Sequence, residues 1–478
     1  METRTVDVAV IGSGSAGLNA RRAVEKAGGR PLLIESGPYG TTCARVGCMP
    51  SKLLIAAADV AHEVAGADRF GIEVHDGWGV DGRKVLERVR AERDRFVGFV
   101  VEDTEALPDE QRLIGHARFV GPTTLEVDGQ TRVEAGAVVI AAGSSPAMPP
   151  PFDQIRDHVL INDDVFELPD LPASLAVVGT GIIGLELGQA LARLGVKVTF
   201  FSPGDRLGPL TDPAIKAVVH DVLDAELNLQ LRSEMLEAVP DGDGVRLQWR
   251  DQAGQVNEEQ FERVLVAAGR RPNLAGLDLE NTGLALDERG RPEWNPRTTQ
   301  CGDAPIFLAG DVSGHLPLLH EASDEGRIAG QNSMLYPKVT AHVRRAPLAI
   351  AFTDPQMGMV GTHYAQLDLG AVEIGEVSFD NQGRSRVMGQ NRGLLRVYGD
   401  RECCTIIGAE MFGPRVEHMA HLLAWVTQER MTVQRALQMP FYHPVIEEGL
   451  RTALRDLANK LKVTGECRAE DMATAPGT

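Results

Sequence analysis

Twice in this chain an apolar strand runs into a Gly-x-Gly-x-x-Gly turn and then into a helix. Val8-Ala9-Val10-Ile11-Gly12-Ser13-Gly14-Ser15-Ala16-Gly17 is answered by Ala176-Val177-Val178-Gly179-Thr180-Gly181-Ile182-Ile183-Gly184. The strand and helix context turns a weak motif into a strong one. One glycine permits the tight turn, one lets backbone approach a pyrophosphate at the helix N-terminus, and one allows close packing of helix on strand. Each copy is completed by a second strand that ends 23 positions after the first glycine, at Glu35 and at Ser202. The expected fold class is therefore α/β, with two Rossmann-like dinucleotide-binding domains.

The 478 residues exceed one ordinary core and call for three or four units. The proline-rich stretch Ser145 to Pro151 forbids helix and central strand, and marks a crossover that closes a first domain over 1–150. Thr123 to Val127, Arg132 to Val133 and Val138 to Ala141 read as three short strands of that domain. The second domain is expected over 151–272. A central segment, 273–345, carries the apolar strand Ile306-Phe307-Leu308-Ala309 and completes the first domain. From about Arg345 the pattern changes to alternating strands and an amphipathic helix, Glu417 to Gln428, so 346–478 is expected to be an α+β domain. Its small, polar end, Cys467 to Thr478, is expected to lack regular structure.

A formal charge of −19 and a pI near 5.1 argue against nucleic acid or an anionic membrane as partner. No long apolar run suits a spanning helix, and the chain enters its first strand at Val6 with no charged leader and apolar core ahead of it. A cytoplasmic location is expected. Six cysteines in so long a chain do not make a disulfide scaffold. No second pair stands at matching spacing for zinc, so no metal site is expected.

Two of those cysteines, Cys43 and Cys48, lie five positions apart in Thr42-Cys43-Ala44-Arg45-Val46-Gly47-Cys48-Met49-Pro50-Ser51-Lys52. On a regular helix they would point roughly 140° apart, outside the reach of a disulfide. Gly47 relaxes the backbone and Pro50 lacks the amide that would bond the Val46 carbonyl, so the sequence carries the distortion a bridge requires. A thiol near a helix start is also acidified. The pair reads as a redox-active disulfide, with two reduced, half-buried cysteines as the alternative.

Glu35 ends the second strand of the first fold, where a carboxylate accepts ribose hydroxyls; a solvated strand-end glutamate is the plainer reading. Asp311 follows an apolar strand and suits a hydroxyl of an extended ligand, or simply ends a buried strand. His443 precedes Pro444, which biases it away from helix, and a turn brings Glu448 to its ring. Such a pair is a candidate base for a dithiol, which attacks only as thiolate. By itself it is also an ordinary surface histidine with acidic neighbours. Cys403 and Cys404 are adjacent in a strand-like run, so their side chains are expected to face opposite ways.

These motifs, with Ala141-Ala142-Gly143, Ala267-Ala268-Gly269-Arg270-Arg271-Pro272, Ala309-Gly310-Asp311 and Phe352-Thr353-Asp354-Pro355, cover nearly the whole chain. Through them it resembles the FAD-dependent pyridine nucleotide disulfide oxidoreductases, and within them the dihydrolipoyl dehydrogenases. The resemblance implies that the C-terminal domain is a dimerisation domain and the chain a homodimer. It implies FAD at Gly12, Ser13, Gly14, Ala16, Gly17, Glu35, Thr42, Ala142, Gly143 and Asp311. It implies NAD at Gly179, Gly181, Gly184, Ser202, Gly269 and Arg270. Cys43 would exchange with substrate and Cys48 would face the flavin. Lys52 and Glu186 would pair beside the flavin N5 edge, where a positive group stabilises the reduced, anionic form. His443 and Glu448 would be the base pair, supplied by the partner subunit. The implied reaction is oxidation of a dihydrolipoyl group, free or on a lipoyl-bearing protein, by NAD⁺. The chain begins at the first nucleotide strand, so the lipoyl group is expected from a partner or from solution.

The departures bear on specificity. Ser202 stands where NAD-using members carry an acid, so discrimination against a 2′-phosphate is missing. Lys197 and Arg206 are the positive groups near it in sequence, with no arginine cluster of the glutathione reductase kind. NAD is the expected nucleotide, and NADP stays open. Phe441 and Tyr442 stand where a histidine is common, and Val445 where a threonine is; all three are expected at the substrate mouth. An NADPH-dependent reductase of another disulfide remains the alternative.

Overall fold

The computed structural model describes residues 1–74 and 78–461. Cys467 to Thr478 lies outside them. The first sheet is centred on Glu2–Ile11, which pairs in parallel with Pro31–Glu35 on one side and Thr131–Ile140 on the other. Strands buried on both faces must be apolar throughout, and Val8, Ala9, Val10, Leu32, Leu33 and Ile34 are each almost wholly buried. The expected pair of strands before and after Gly136 is one strand of ten residues, Thr131–Ile140. Glu134-Ala135-Gly136 reads as a break by polarity, but the ladder to Glu2–Ile11 runs past it. Ile306–Leu308 joins the same sheet beside Thr131–Ile140, so a segment far along the chain closes the first core. Over that sheet the first nucleotide helix, Ser15–Lys26, packs against Leu319–Leu335. Gly326 and Gly330 present bare backbone to the carbonyls of Ala16 and Ala20, where any Cβ would collide.

The second sheet repeats the pattern. Ser174–Val178 lies between Lys197–Ser202 and Arg263–Val266, all parallel, with Asn228–Leu231 at the edge and the helix Ile182–Arg193 following the glycine turn. A three-stranded antiparallel meander, Glu234–Asp241, Gly244–Arg250 and Val256–Phe261, is attached. Entry to and exit from this unit meet: Ser144–Pro146 pairs with Arg270–Pro272.

The C-terminal unit is a five-stranded antiparallel sheet ordered Leu348–Ala351, Gln356–Gly361, Ile406–Gly413, Leu394–Asp400, Val372–Ser378, backed by the helices Val416–Gln428 and Glu447–Lys460. Cys403 and Cys404 sit in a turn rather than a strand, Cys403 exposed and Cys404 buried at φ 55°. A buried polar strut ties this unit to the second. Asp212, which caps the helix Pro213–Asp224, accepts from Arg396 Nη1 at 2.6 Å and from the Tyr398 hydroxyl at 2.9 Å. Glu410 accepts the amides of Thr211 at 2.6 Å, Asp212 at 2.9 Å and Tyr364 at 2.9 Å. No described helix is long and apolar enough to cross a membrane.

Candidate active site

The two glycine turns have matching geometry. Gly12 and Gly179 take φ of 104° and 111°, and a Cβ on either would strike the carbonyl of Ala141 or Ala267. Gly17 and Gly184 lie against the carbonyls of Gly12 and Gly179, and side chains there would block the helix from its strand. A Cβ on Gly14 or Gly181 meets nothing within 4 Å. Both are N-caps without a side-chain cap, so first-turn amides face open space. Free amides at a helix N-terminus beside an uncluttered glycine are what a pyrophosphate requires, and the residues present fit a dinucleotide in each unit. Glu35 does more than end its strand: it accepts from the amide of Ser13 at 2.7 Å, the Ser13 hydroxyl at 2.8 Å and the amide of Gly37 at 2.8 Å, and so fixes the turn.

The expected distortion between the cysteines is a full break. One helix, Thr42–Val46, ends and another, Cys48–Ala65, begins, with Gly47 between them at φ −123° and ψ −115°. Thr42 is exposed at the first helical position, and Cys48 is the first residue of the second helix. The cysteines are present as thiols, and the Cys43 side chain is hydrogen-bonded to Cys48. That bond pushes the Cys43 thiol well up, with burial adding to it. It draws Cys48 down to about 7, with Lys52 and the Cys48 amide assisting, while burial and Glu186 oppose. Lys52 Nζ donates to Glu186 Oε2 at 2.6 Å and lies 4.7 Å from the centre of the Phe352 ring. The Phe352 amide donates to Glu186 Oε1 at 2.7 Å. In the sequence Phe352 stands out only as the first residue of Phe352-Thr353-Asp354-Pro355. Its ring and amide position both partners of the ion pair.

Asp311, at the end of its strand, accepts from the Ser144 hydroxyl at 2.9 Å. Arg270 donates to that hydroxyl at 2.8 Å and to the Ser144 carbonyl at 2.6 Å. Ala142 and Gly143 belong to the same junction: Asn273 donates to the Ala142 carbonyl at 2.9 Å, and the Asn273 amide to the Gly143 carbonyl at 3.0 Å. Ser202 is buried at the end of its strand, and its hydroxyl accepts from the Gly204 amide at 3.4 Å. Lys197 is at the far end of that strand, paired with Glu259 at 2.6 Å, so the positive charge read near Ser202 does not come from it. Arg232 takes that place. Its amide donates to the Gly204 carbonyl at 3.0 Å and its guanidinium pairs with Asp205 at 2.8 Å. It lies 30 positions beyond Ser202 in sequence, on a neighbouring strand end, and no local pattern announces it.

His443 Nδ1 stands 3.0 Å from both oxygens of Glu448, and the Val445 amide donates to Glu448 Oε2 at 3.3 Å. Burial pushes the Glu448 carboxyl up; the His443 and Val445 hydrogen bonds and the Arg451 charge outweigh it and hold the group below its usual range. The ring is 80% exposed, with Nε2 free to act. Within one chain no hydrogen bond or ion pair among the described residues joins it to Cys43 or Cys48. Phe441, expected at the substrate mouth, packs instead on the C-terminal core, while Tyr442 is exposed. Beside Cys43 lies a cavity of about 320 Å³ walled by Leu18, Val100, Leu107, Phe99 and Leu319, with Arg22 and Asp103 3.9 Å apart at its edge. Among the described residues no cluster of His, Cys, Asp or Glu is arranged to hold a metal.

Residues 6–326 match the family model for pyridine nucleotide-disulphide oxidoreductases, and residues 348–454 match that family's dimerisation domain. The chain is 31% identical over 459 residues to dihydrolipoyl dehydrogenase of Bacillus subtilis, covering 94% of this chain and 97% of the relative. It is 30% identical over 464 residues to dihydrolipoyl dehydrogenase of Thermus scotoductus, covering 95% and 98%. Among solved structures it resembles in fold a Cu(II) complex of the HOCl-induced flavoprotein disulfide reductase RclA from Escherichia coli, with TM-score 0.80, 23% identity and coverage of 95% and 99%. It likewise resembles LpdA from Mycobacterium tuberculosis, with TM-score 0.79, 24% identity and coverage of 94% and 99%.

Proposed function

The chain belongs to the pyridine nucleotide-disulphide oxidoreductase family, and from that premise we propose that it is a dihydrolipoyl dehydrogenase, a cytoplasmic homodimer that oxidises dihydrolipoyl groups with NAD⁺. Family membership implies FAD and a nicotinamide nucleotide. The observation that carries the reaction is the geometry of the redox pair: the Cys43 side chain is hydrogen-bonded to Cys48, and Cys48 opens a helix one turn ahead of Lys52, which pairs with Glu186. His443 Nε2 takes a proton from one substrate thiol. The resulting thiolate attacks Cys43 Sγ, the Cys43–Cys48 bond breaks, and Cys48 leaves as a thiolate beside Lys52 and a helix N-terminus. The second substrate thiol gives up its proton as its sulfur displaces Cys43 from the mixed disulfide; Cys43 leaves as a thiol with the proton His443 held, and His443 is left holding the proton of the second thiol. The substrate has then lost two electrons and become a cyclic disulfide, and the cysteine pair has gained them. FAD, if held by the first glycine turn with Lys52 beside it, would supply the redox chemistry that links this electron pair to a nicotinamide nucleotide held at the second turn. Glu448 orients the ring throughout.

Choice of a dihydrolipoyl group is supported by the apolar part of the wall beside Cys43, Leu18, Phe99, Val100, Leu107 and Leu319, and by the engagement of its two arginines, Arg22 near Asp103 and Arg21 with Glu25 and Gln111. A neutral aliphatic arm fits such a wall better than a peptide with several carboxylates. Anaerobic titration with dihydrolipoamide tests this reading. A long-wavelength thiolate-to-flavin band and NAD⁺-dependent turnover are expected. No band, with Cys48→Ser spectrally unchanged, overturns it. The second reading, an NADPH-dependent reductase of another disulfide, is favoured by neutral Ser202 with Arg232 close by. Faster turnover with NADPH and glutathione disulfide than with dihydrolipoamide and NAD⁺ would establish it.

A further inference from the structure

The break at Gly47 orphans a backbone acceptor. In a continuous helix the Val46 carbonyl would bond the amide of residue 50, and Pro50 has none. Its partner comes from another unit: Asn162 Nδ2 donates to Val46 O at 3.0 Å. Asn162 is 7% exposed, at the start of the short helix Asn162–Val165. Its Nδ2 also donates to Asp163 Oδ1 at 2.8 Å, and its Oδ1 accepts from Arg270 Nη1 at 3.4 Å. Both ends of the amide are engaged, so its orientation is fixed. Arg270 bonds Ser144, and Ser144 bonds Asp311. A single hydrogen-bonded chain thus runs from the flavin-side carboxylate, through an arginine of the nucleotide unit, to the last carbonyl of the Cys43 helix.

We propose that Asn162 is a positioning residue of the redox pair: by capping Val46 it holds the helix break open, which sets the spacing of Cys43 and Cys48 and the poise of their dithiol–disulfide equilibrium. The proposal rests on the redox reading above. A packing role for Asn162 has a different signature. Asn162→Asp keeps its volume and its acceptor toward Arg270, but replaces the donor to Val46 with an oxygen. Pro50→Ala restores the amide that Val46 lacks. The two form a cycle, read in full-length flavoprotein equilibrated in dithiothreitol buffers, with the cysteines trapped by alkylation and counted by mass.

Asn162→Asp is expected to retain flavin and to make the disulfide about tenfold easier to reduce, about 30 mV. In the Pro50→Ala background the same change is expected to have a much smaller effect. Asn162→Ala takes its place in the cycle if the aspartate variant does not fold. Strict additivity, or wild-type potentials in both Asn162 variants, overturns the inference and leaves the proposed reaction standing. A wild-type pair that exchanges with neither dithiothreitol nor dihydrolipoamide sinks the reaction itself.

Discussion

Cys48 is held near 7 by its bond from Cys43 and by Lys52, against burial and the charge of Glu186. Removing Lys52 deletes a lowering influence and leaves Glu186 unopposed, so both consequences have the same sign. In Lys52→Met the midpoint of thiolate formation, followed by absorbance of the reduced protein against pH, is expected to move upward from about 7 by about one unit. A downward or absent shift would place the lysine outside the cysteines' field. The base pair is testable at the same scale. Glu448 holds Nδ1, so Glu448→Gln leaves a neutral partner for an imidazole that must accept a proton at Nε2. A fall in kcat of about 10²-fold is expected, with flavin content and thiol titration unchanged. Steady-state rates beside a thiol count separate this from loss of the cysteines. Lys52, Glu186, His443 and Glu448 were all legible in sequence, because each stands at a fixed offset from a motif. Phe352 as the organiser of Lys52 and Glu186 was not, since a ring over an ammonium and an amide on a carboxylate are contacts between units.

Two short helices replace one long one around Gly47, and that is an element-scale choice made by two residues. A Cβ on Gly47 would lie 3.0 Å from the Thr42 carbonyl and 3.2 Å from Cys43 Cα, so the break leaves little room there. Pro50→Ala alone, in protein that keeps Asn162, offers Val46 a second donor and favours a continuous helix, which turns the cysteines apart. A less negative midpoint potential for the pair is expected, again about 30 mV for a tenfold change. The Ser144–Pro146 and Arg270–Pro272 pairing shows the limit of reading elements one by one. Proline correctly excluded a central strand, yet two crossovers brought side by side form a ladder of their own.

Across the whole molecule, the Asp212 strut fixes the second unit to the C-terminal sheet. Arg396→Ala leaves a wholly buried carboxylate without its cation, and a loss of about 3 kcal/mol is expected in denaturant unfolding followed by the exposure of Trp249 in the second unit. The exposed His443–Glu448 pair makes a sharper claim about assembly. Cys43→Ser and His443→Ala are each expected to be nearly inactive. Co-refolded in equal amounts, they recover about a quarter of wild-type activity if base and cysteines come from different subunits, because half of the dimers are mixed and each has one intact site. No recovery, with mixed dimers demonstrated by mass, would put both groups in one subunit.

Sequence alone determined what local spacing and backbone chemistry dictate. The glycine turns, the strands they end, the need for a distortion between Cys43 and Cys48, and the change of class in the C-terminal unit all follow from which residues tolerate which dihedrals and which faces must be apolar. Tertiary structure decided the partners that lie far apart in the chain. Val46 had to find a donor once Pro50 stood at its place, but only packing of the second unit against the redox helices made that donor Asn162. Arg232 rather than Lys197 lies at the Ser202 end of its strand, because the side to which a charge is brought depends on strand order and register. Such pairings are set by burial of the whole core, which no window of neighbouring residues contains.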